Sequence, residues 1–534
     1  MNRKVYTGVD MLRPLFLRRL FKGYFAWIIT IVKFQDYWLS NRKVPKRMKL
    51  SKVIDIVNPI FVDNFMELEV RNLAYDSRVV SKDTLFFALK GSRLDGHKFI
   101  QDAIGKGANS CIVEEDVAIS EVPLIKVRNA RESLADISSY FYGFPSNNIT
   151  VVGITGTNGK TTSSFLIKHI LSVAGKKVGL IGTMGSLIGS REIDLPNTTP
   201  ESLWLQKIIR EMVDENIKEC IMEVSSHGIK TGRIKNIDFD IGVLTNVTRD
   251  HLNFHKTFDD YLSTKISFFS GLKKNGVAVI NIDDNNSDKF LNSISADCIT
   301  YGIEKQADVK GTIEKINSNG INATVDYKGK QYRIFSPLRG RYNIYNILAG
   351  FSVAKLLNVD DNDIIEGIKT FNGVEGRGES IENSSGIDCV IDYAHTPDAL
   401  LNLLKSEREL VSGRLICVFG AGGNRDRGKR PEMGYVASRF CDIVIVTSDN
   451  PRDEEPMDII NDILDGIDER EKVFVEEDRK KAIGMAVNMA KKGDAIVIAG
   501  KGHEKYQEIK GKRFPFSDRK VVEFLLRTKG KDES

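Results

Sequence analysis

The sequence predicts an α/β protein of three domains, in which two doubly wound parallel sheets follow a smaller α/β domain. Three observations carry this. The chain has 534 residues, too many for one hydrophobic core. From Ile149 onward, apolar strand-like runs alternate with segments of helical spacing, the pattern of a parallel sheet covered on both faces. Polar and glycine-rich turns follow those strands, where such sheets bind ligands.

In chain order, residues 1–47 are a basic extension. Residues 1–50 hold twelve Lys/Arg against two Asp/Glu, a balance of +10 where the whole chain carries +5. The longest apolar run there, Tyr24 to Val32, is too short for a membrane span, which needs about 20 apolar residues. No small-residue cleavage site follows it. Two readings stay open: a basic, Trp-containing segment that lies on a membrane surface, or a reading frame begun too early, with the natural start at Met48. Residues 48–147 form a first domain with short apolar runs such as "TLFFALKG" and "SCIVEE", ending in a linker at "GFPSNN". Residues 148–373 form the central domain. It opens with the strand "ITVVGITG" and the helix "TTSSFLIKHILSVAG", which stops at Gly175. The strands "KKVGLIGTMG", "KECIMEVSS", "FDIGVLTNVT" and "GVAVINIDD" follow, then β-hairpins over 308–337 that turn at Asn319-Gly320 and Lys328-Gly329. Residues 374–534 repeat the alternation with "GIDCVIDYAH", "GRLICVFGAGG", "CDIVIVTSDN", "KVFVEED" and "DAIVIAGKG".

Composition excludes several classes. Hydrophobic content of 41% with 28% charged residues reads as an ordinary soluble globular protein. Beyond the first fifty residues the net charge is −5, so the overall positive sign is no argument for a nucleic-acid partner. The six cysteines include no CxxC pair and read as buried thiols of a reducing cytoplasm, not a disulfide framework or zinc site. No HExxH occurs.

The motif with the clearest chemistry is "VVGITGTNGKTTSS", Val151 to Ser164. A buried strand ends, glycines let the backbone turn tightly, and a helix begins with its positive end facing the turn, which is how phosphate is held. Gly159-Lys160-Thr161 fit the end of the GxxxxGK[ST] pattern, but its first glycine falls at Ile154, between Gly153 and Gly156. The plain alternative is a strand–turn–helix connection that happens to contain Gly and Lys. As a phosphate loop, Lys160 neutralises the terminal phosphates and Thr161 ligates magnesium. Glu223, at the end of "KECIMEVSS", can hold a metal or polarise water, or be a solvated turn residue. "TRDHLNFH", which contains His251, has the ligand types for a transition metal but none of the common zinc spacings. Lys265, amid "YLSTKISFF", is either a snorkelling lysine or one with a depressed pKa, able to react. "SDNPRDEEP" offers acceptors and an amide at Asp449 and Asn450, a stiff turn at Pro451 and a guanidinium fork at Arg452.

Twelve motifs fall in an order that resembles the Mur ligases: "DSR", "GTNGKTT", "NTTP", "MEVSSHG", "TRDHLNFH", "YLSTK", "GRYNIYN", "GRGE", "DYAHTPD", "GGNRDRGKRP", "DNPR" and "GKGHE". The resemblance spans nearly the whole chain from about Met48. It implies a central P-loop-type sheet, a C-terminal Rossmann-like sheet, and an N-terminal domain that binds a uridine nucleotide. Within the family the pattern is most similar to the members that add the third residue of the peptide. The implied reaction joins meso-2,6-diaminopimelate to the D-Glu carboxylate of UDP-N-acetylmuramoyl-L-alanyl-D-glutamate. It uses ATP, Mg2+ and an acyl phosphate, in the cytoplasm, during peptidoglycan synthesis, and so serves cell shape and division. The implied protein is a monomer with small-molecule substrates and no nucleic-acid partner, and any membrane contact runs through residues 1–47.

Residue by residue, the resemblance implies that Gly156, Thr157, Asn158, Gly159, Lys160, Thr161 and Thr162 wrap the ATP phosphates. Asn346 lies near adenine, and Arg377 and Asp392 reach the nucleotide from the third domain. Thr161 and Glu223 hold one magnesium. Lys265, as a carbamate (N6-carboxylysine), helps hold a second, and His251 joins Lys160, Lys265 and Glu223 in the catalytic group. Tyr75, Ser77, Ser92, Arg93 and Leu94 contact the uridine nucleotide. Asn197, Thr198, Thr199, Ser225, Thr231 and Arg233 contact its sugar-peptide portion, although Thr231 stands where the family often has Gln. Arg425, Asp449, Asn450, Pro451, Arg452, Gly500 and Glu504 form the amino-acid pocket. There Arg452 with Asn450 takes the second carboxylate of diaminopimelate, and Glu504 with the Gly500 carbonyl takes its amine. Use of L-lysine, a sister ligase such as folylpolyglutamate synthetase, and a P-loop ATPase that forms no bond are the alternatives. "DNPR" and the extended first domain argue against the sister ligase.

Overall fold

The computed structural model describes residues 47–91, 94–118 and 121–532. The extension 1–46, with the Tyr24–Val32 run, and the pair Ser92 and Arg93 lie outside the described residues. Among the described residues two compact units form, one of those up to residue 144 with 202–207, the other of 145–201 with those from 208 onward.

In the first unit, five strands are ordered Phe61–Asp63, Leu124–Lys126, Ala108–Val113, Thr84–Phe87 and Asn72–Ala74. The last four are parallel and Phe61–Asp63 is antiparallel. Every residue of Thr84–Phe87 is buried, because helices cover both faces of the central strands. Asn129 starts the helix Ala130–Phe141 by accepting hydrogen bonds from the Arg131 and Glu132 amides.

The second unit holds two large sheets and the small hairpin Tyr506–Ile509 with Lys512–Pro515. The larger has eleven strands, at whose centre Thr150–Thr155 lies between the parallel strands Glu219–Glu223 and Phe239–Leu244. Chain order reverses direction there, which opens a crevice beyond the carboxyl ends of the strands. One end of the sheet is the antiparallel meander Val309–Asn317, Gly320–Tyr327 and Lys330–Ser336, as the hairpin signals predict. Lys328 (φ 53°) and Gly329 (φ 75°) both take left-handed conformations in its second turn. The meander does not stand apart: Val309–Asn317 pairs parallel with Asp297–Gly302 and so extends the central sheet. The helix Lys160–Val173 packs with Tyr342–Leu356 and Asp361–Thr370 over this sheet.

The second sheet has six strands, ordered Glu379–Ser380, Asp388–Asp392, Ala495–Ala499, Leu415–Phe419, Ile443–Val446 and Val473–Val475. All but the first run parallel. The segment expected as a linker is docked: Pro145–Asn148 forms a 3-10 turn, and Ser146 Oγ accepts from the Asp238 amide at 3.2 Å. One cysteine departs from expectation. Five are buried, but Cys298 is exposed, because it lies at the open beginning of its strand, where Asp297 is also exposed.

Candidate active site

The loop after Thr150–Thr155 is held by the loop after the neighbouring strand. Thr157 N donates to Asn246 O at 2.8 Å, Asn158 N donates to Asn246 Oδ1 at 2.9 Å, and Thr245 Oγ1 donates to Asn158 O at 2.6 Å. Gly156 (φ 148°) has no room for a side chain, since a Cβ there would lie 1.9 Å from Thr245 Oγ1. Gly159 (φ 84°) starts the helix in a left-handed conformation that suits glycine. This frame aims the first turn of a 14-residue helix into a cavity of about 540 Å3. Gly156 through Thr162, Glu223, His251, Lys265, Asn346, Arg377 and Asp392 all line it. The structure therefore brings the nucleotide and catalytic candidates together. Asn346 sits against the loop itself: its Oδ1 accepts from Ser163 Oγ at 3.0 Å and lies 2.5 Å from where a Gly159 Cβ would be.

Two lysines share one acceptor. Lys160 Nζ donates to Gly156 O and Thr157 O, both at 2.8 Å, and Lys265 Nζ donates to the same Gly156 O at 2.9 Å. Lys265 is 1% exposed, and its nearest ring is Tyr261, 4.6 Å from Nζ. Burial, then the Lys160 charge, pushes its pKa well below the usual lysine value, with Asp250 a partial counterweight. Burial also lowers Lys160, but Glu223 and Asp250 oppose that. Lys265 is thus the member of the pair that gives up its proton more readily.

Beside them, Glu223 is fully buried at its strand end. Its Oε2 accepts from Thr161 Oγ1 and from Thr183 Oγ1, both at 3.0 Å, and Oε1 accepts from Thr183 N at 2.9 Å. A buried carboxylate and a hydroxyl facing a phosphate loop are hard oxygen donors, the set that suits Mg2+. "TRDHLNFH" builds something else. Among the described residues, the one group close enough to offer three ligands to a metal is Asp95, His97 and Glu115. His251 takes a left-handed φ of 56°, its ring 4.8 Å from that of His227, which stacks on Phe254. Burial pushes His227 down to about 4 and His251 to about 3, so both are neutral near pH 7. Burial opposes ionisation of Asp250, yet His251, His395 and Lys429 hold it well below the usual carboxylate range.

The six-stranded sheet closes the cavity from the other side. Arg377 Nη2 donates to Thr161 Oγ1 at 3.4 Å, and its guanidinium lies 4.1 Å from the Tyr393 ring centre. Asp392 accepts from the Gly378 and Ala394 amides, each at 2.6 Å. Asp398 Oδ2 accepts from Asn158 Nδ2 at 3.0 Å and so ties this sheet's first long helix to the phosphate loop.

The proposed amino-acid residues form a second cluster around the ends of Leu415–Phe419, Ile443–Val446 and Ala495–Ala499. Asp449 and Asn450 are buried. Arg452 has a left-handed φ of 53°, held because its N donates to Glu508 O at 3.0 Å and its O accepts from Lys510 N at 2.6 Å. Its Nη1 donates to Gly423 O at 2.8 Å. Arg425 is held below its usual value by burial and then by the Arg452 charge, and Arg452 Nε pairs with Glu508 Oε2 at 3.3 Å. Gly500 N donates to Asp392 O at 3.1 Å, which links this cluster to the first cavity. A Cβ on Gly500 would lie 2.5 Å from Asp449 Oδ2.

The sugar-peptide candidates group around Thr199, whose hydroxyl donates to Glu223 O at 2.9 Å and accepts from Ser225 N at 2.9 Å. Arg233 Nη1 donates to Thr199 O at 3.0 Å, and Thr198 Oγ1 lies 3.0 Å from Thr183 Oγ1. Asn197 is exposed. Thr231 Oγ1 donates to His227 O at 2.6 Å, so its hydroxyl is engaged with its own helix. In the first unit Ser77 is buried in a short 3-10 turn after Tyr75, and Leu94 is 68% exposed. Sequence reasoning passed over Asp250, Tyr393, His395, Asp398 and Lys501. All five stood inside quoted motifs, and the sequence alone did not show what they do.

Three family descriptions match the chain: "Mur ligase family, catalytic domain" over residues 69–142, "Mur ligase middle domain" over 154–354, and "Mur ligase, glutamate ligase domain" over 376–502. A UDP-N-acetylmuramoyl-L-alanyl-D-glutamate–2,6-diaminopimelate ligase from Clostridium tetani is 42% identical over 486 residues, 90% of this chain and 99% of the relative. The ligase of the same name from Aquifex aeolicus is 43% identical over 463 residues, 87% of this chain and 95% of the relative. A solved structure of a ligase of that name superposes with a TM-score of 0.63 at 31% identity, covering 91% of this chain and 99% of that one. MurF from Thermotoga maritima with ADP has the same fold, with a TM-score of 0.62 at 20% identity, covering 87% of this chain and 99% of its own.

Proposed function

The chain belongs to the Mur ligase family, and from that premise we propose what its two clusters do. The protein is an ATP-dependent ligase that joins meso-2,6-diaminopimelate to the D-Glu carboxylate of UDP-N-acetylmuramoyl-L-alanyl-D-glutamate in peptidoglycan precursor synthesis. The observation that carries the site assignment is the convergence of Lys160 and Lys265 on Gly156 O beside the Thr161–Glu223 pair. A cation at Lys160 beside hard oxygens is the set a departing phosphoryl group needs, which supports the reading.

A carboxylate does not acylate an amine at neutral pH, so its oxygen must first become a leaving group. The D-Glu carboxylate oxygen attacks the γ-phosphorus of ATP, the bond to ADP breaks, and an acyl phosphate forms. Lys160 and the first-turn amides of its helix offset the charge that develops. Thr161 and Glu223 would hold Mg2+, which would withdraw charge from the phosphate oxygens. The diaminopimelate amine then attacks the acyl carbon, phosphate leaves with the bonding electrons, and the amine proton is released. Neutral Lys265 can attack CO2, forming an N–C bond and losing a proton, and the resulting carbamate carries negative charge into the site. Arg377, stacked on Tyr393, reaches the nucleotide from the six-stranded sheet. The reaction belongs in the cytoplasm with the enzyme as a monomer; among the described residues no helix is long and apolar enough to cross a membrane.

Phosphate release with ATP, Mg2+ and the UDP-dipeptide, run with diaminopimelate, with L-lysine and with no amino acid, tests the reading. A tripeptide product only with diaminopimelate is expected. Release without a new amide would make the loop a simple ATPase. Arg452→Ala raises the diaminopimelate KM by about 10²-fold, because the distal carboxylate loses its fork. An unaltered KM in that variant removes Arg452 from the pocket.

A further inference from the structure

We propose that Lys501 sets the polarity of the amino-acid pocket, as a positioning residue that makes one half take a carboxylate and the other an ammonium. The inference rests on the reading that this pocket receives diaminopimelate. Lys501 is 0% exposed, yet its position at a strand end places it beside the pocket and not in the apolar core. Its Nζ donates to Asn450 Oδ1 at 3.0 Å and to Glu504 Oε2 at 2.8 Å.

Those two bonds do different things. Asn450 Oδ1 also accepts from Glu508 N at 2.9 Å, so the oxygen of that amide is occupied twice. Asn450 Nδ2 is thereby turned toward Glu504, to which it donates at 2.7 Å, and one N–H remains to donate to a ligand carboxylate beside Arg452. On Glu504, Oε2 accepts from both Lys501 and Asn450, which leaves Oε1 to accept a ligand ammonium. The Lys501–Glu504 contact at 2.8 Å fixes where that carboxylate points. Without Lys501 the amide oxygen keeps only the Glu508 N bond, and a rotated amide would present Oδ1, an acceptor, where a carboxylate should bind. Preference for a distal carboxylate over a bare amine then rests on Arg452 alone and weakens.

Nζ pairs with Glu504 and lies 5.7 Å from the centre of the Tyr506 ring, on which the Arg513 guanidinium also sits at 4.2 Å, and its charge also acts on His503. Two variants separate charge from hydrogen bonding. Lys501→Met removes both and is expected to raise the diaminopimelate KM by about 10²-fold, lower discrimination against lysine by at least about tenfold, and leave the ATP KM within about twofold. Lys501→Gln keeps a donor for Asn450 and is expected to retain most of the discrimination. If Lys501→Met lowers kcat and the melting temperature but leaves the diaminopimelate KM and the discrimination against lysine in place, Lys501 is only structural and the proposal fails. Failure of the parent enzyme to use diaminopimelate overturns the pocket reading instead, a result the wild-type assay shows before any variant is made.

Discussion

Lys265→Arg lowers kcat by about 10³-fold, although the positive charge is kept. The reason is proton affinity. In the fold the Lys265 ammonium is buried and shares Gly156 O with Lys160, so both desolvation and like charge favour the neutral amine. A neutral amine can attack CO2. A guanidinium stays protonated throughout the accessible pH range and cannot. Arginine therefore leaves a fixed cation where the reaction calls for a carbamate. Phosphate release measures the loss, and 13C NMR of protein equilibrated with 13C-bicarbonate reads its cause: a carbamate carbon in the parent enzyme and none in the variant. A Lys265→Arg enzyme with near-normal kcat would remove the carbamate from the mechanism.

The pH dependence has a definite sign. The Lys265 pKa lies well below 10.5, so in the window between its lowered value and 10.5 the unfolded chain holds a proton that the native chain does not. Stability from this group rises with pH across that window and is at its lowest below the lowered value. Carbamate occupancy follows the same direction: acid protonates the amine and turnover falls, and added bicarbonate at fixed pH restores part of it.

What the sequence made legible is what is local. Gly159, Lys160 and Thr161 declare a strand–turn–helix by themselves, and Glu223 declares itself as the last residue of an apolar strand. The hairpin turns at Asn319-Gly320 and Lys328-Gly329 are set by backbone conformation and are read as easily. Contacts made by long crossovers are not. Asp398 lies 240 residues from Asn158, and Arg377 lies 216 residues from Thr161, so no spacing rule connects them. Lys501 shows the same limit in a quoted motif. Its residue type is visible, but its role depends on which way the Asn450 amide faces. The parallel pairing of Val309–Asn317 with Asp297–Gly302 is equally hidden, because hairpin signals fix a strand's partner within the meander and say nothing of its other edge.

Lys160→Met is expected to lower kcat/KM for ATP by at least about 10³-fold. Lys160 is the cation that the helix's own first turn supplies, and its Nζ reaches the two loop carbonyls Gly156 O and Thr157 O. Methionine fills a similar volume but offers neither the charge for a leaving phosphate nor the donors that brace the loop. Loss of ATP binding is read by the melting temperature: saturating ATP stabilises the parent protein and leaves the variant close to its ligand-free value. The same variant tests the coupling between the two lysines. Lys160 is the main like charge that depresses Lys265, so its removal lets Lys265 hold its proton at higher pH. The 13C carbamate signal therefore weakens in Lys160→Met at neutral pH and recovers as the pH is raised. A carbamate signal equal to the parent's at every pH would mean that burial alone governs Lys265, and that the shared Gly156 carbonyl is a coincidence of packing.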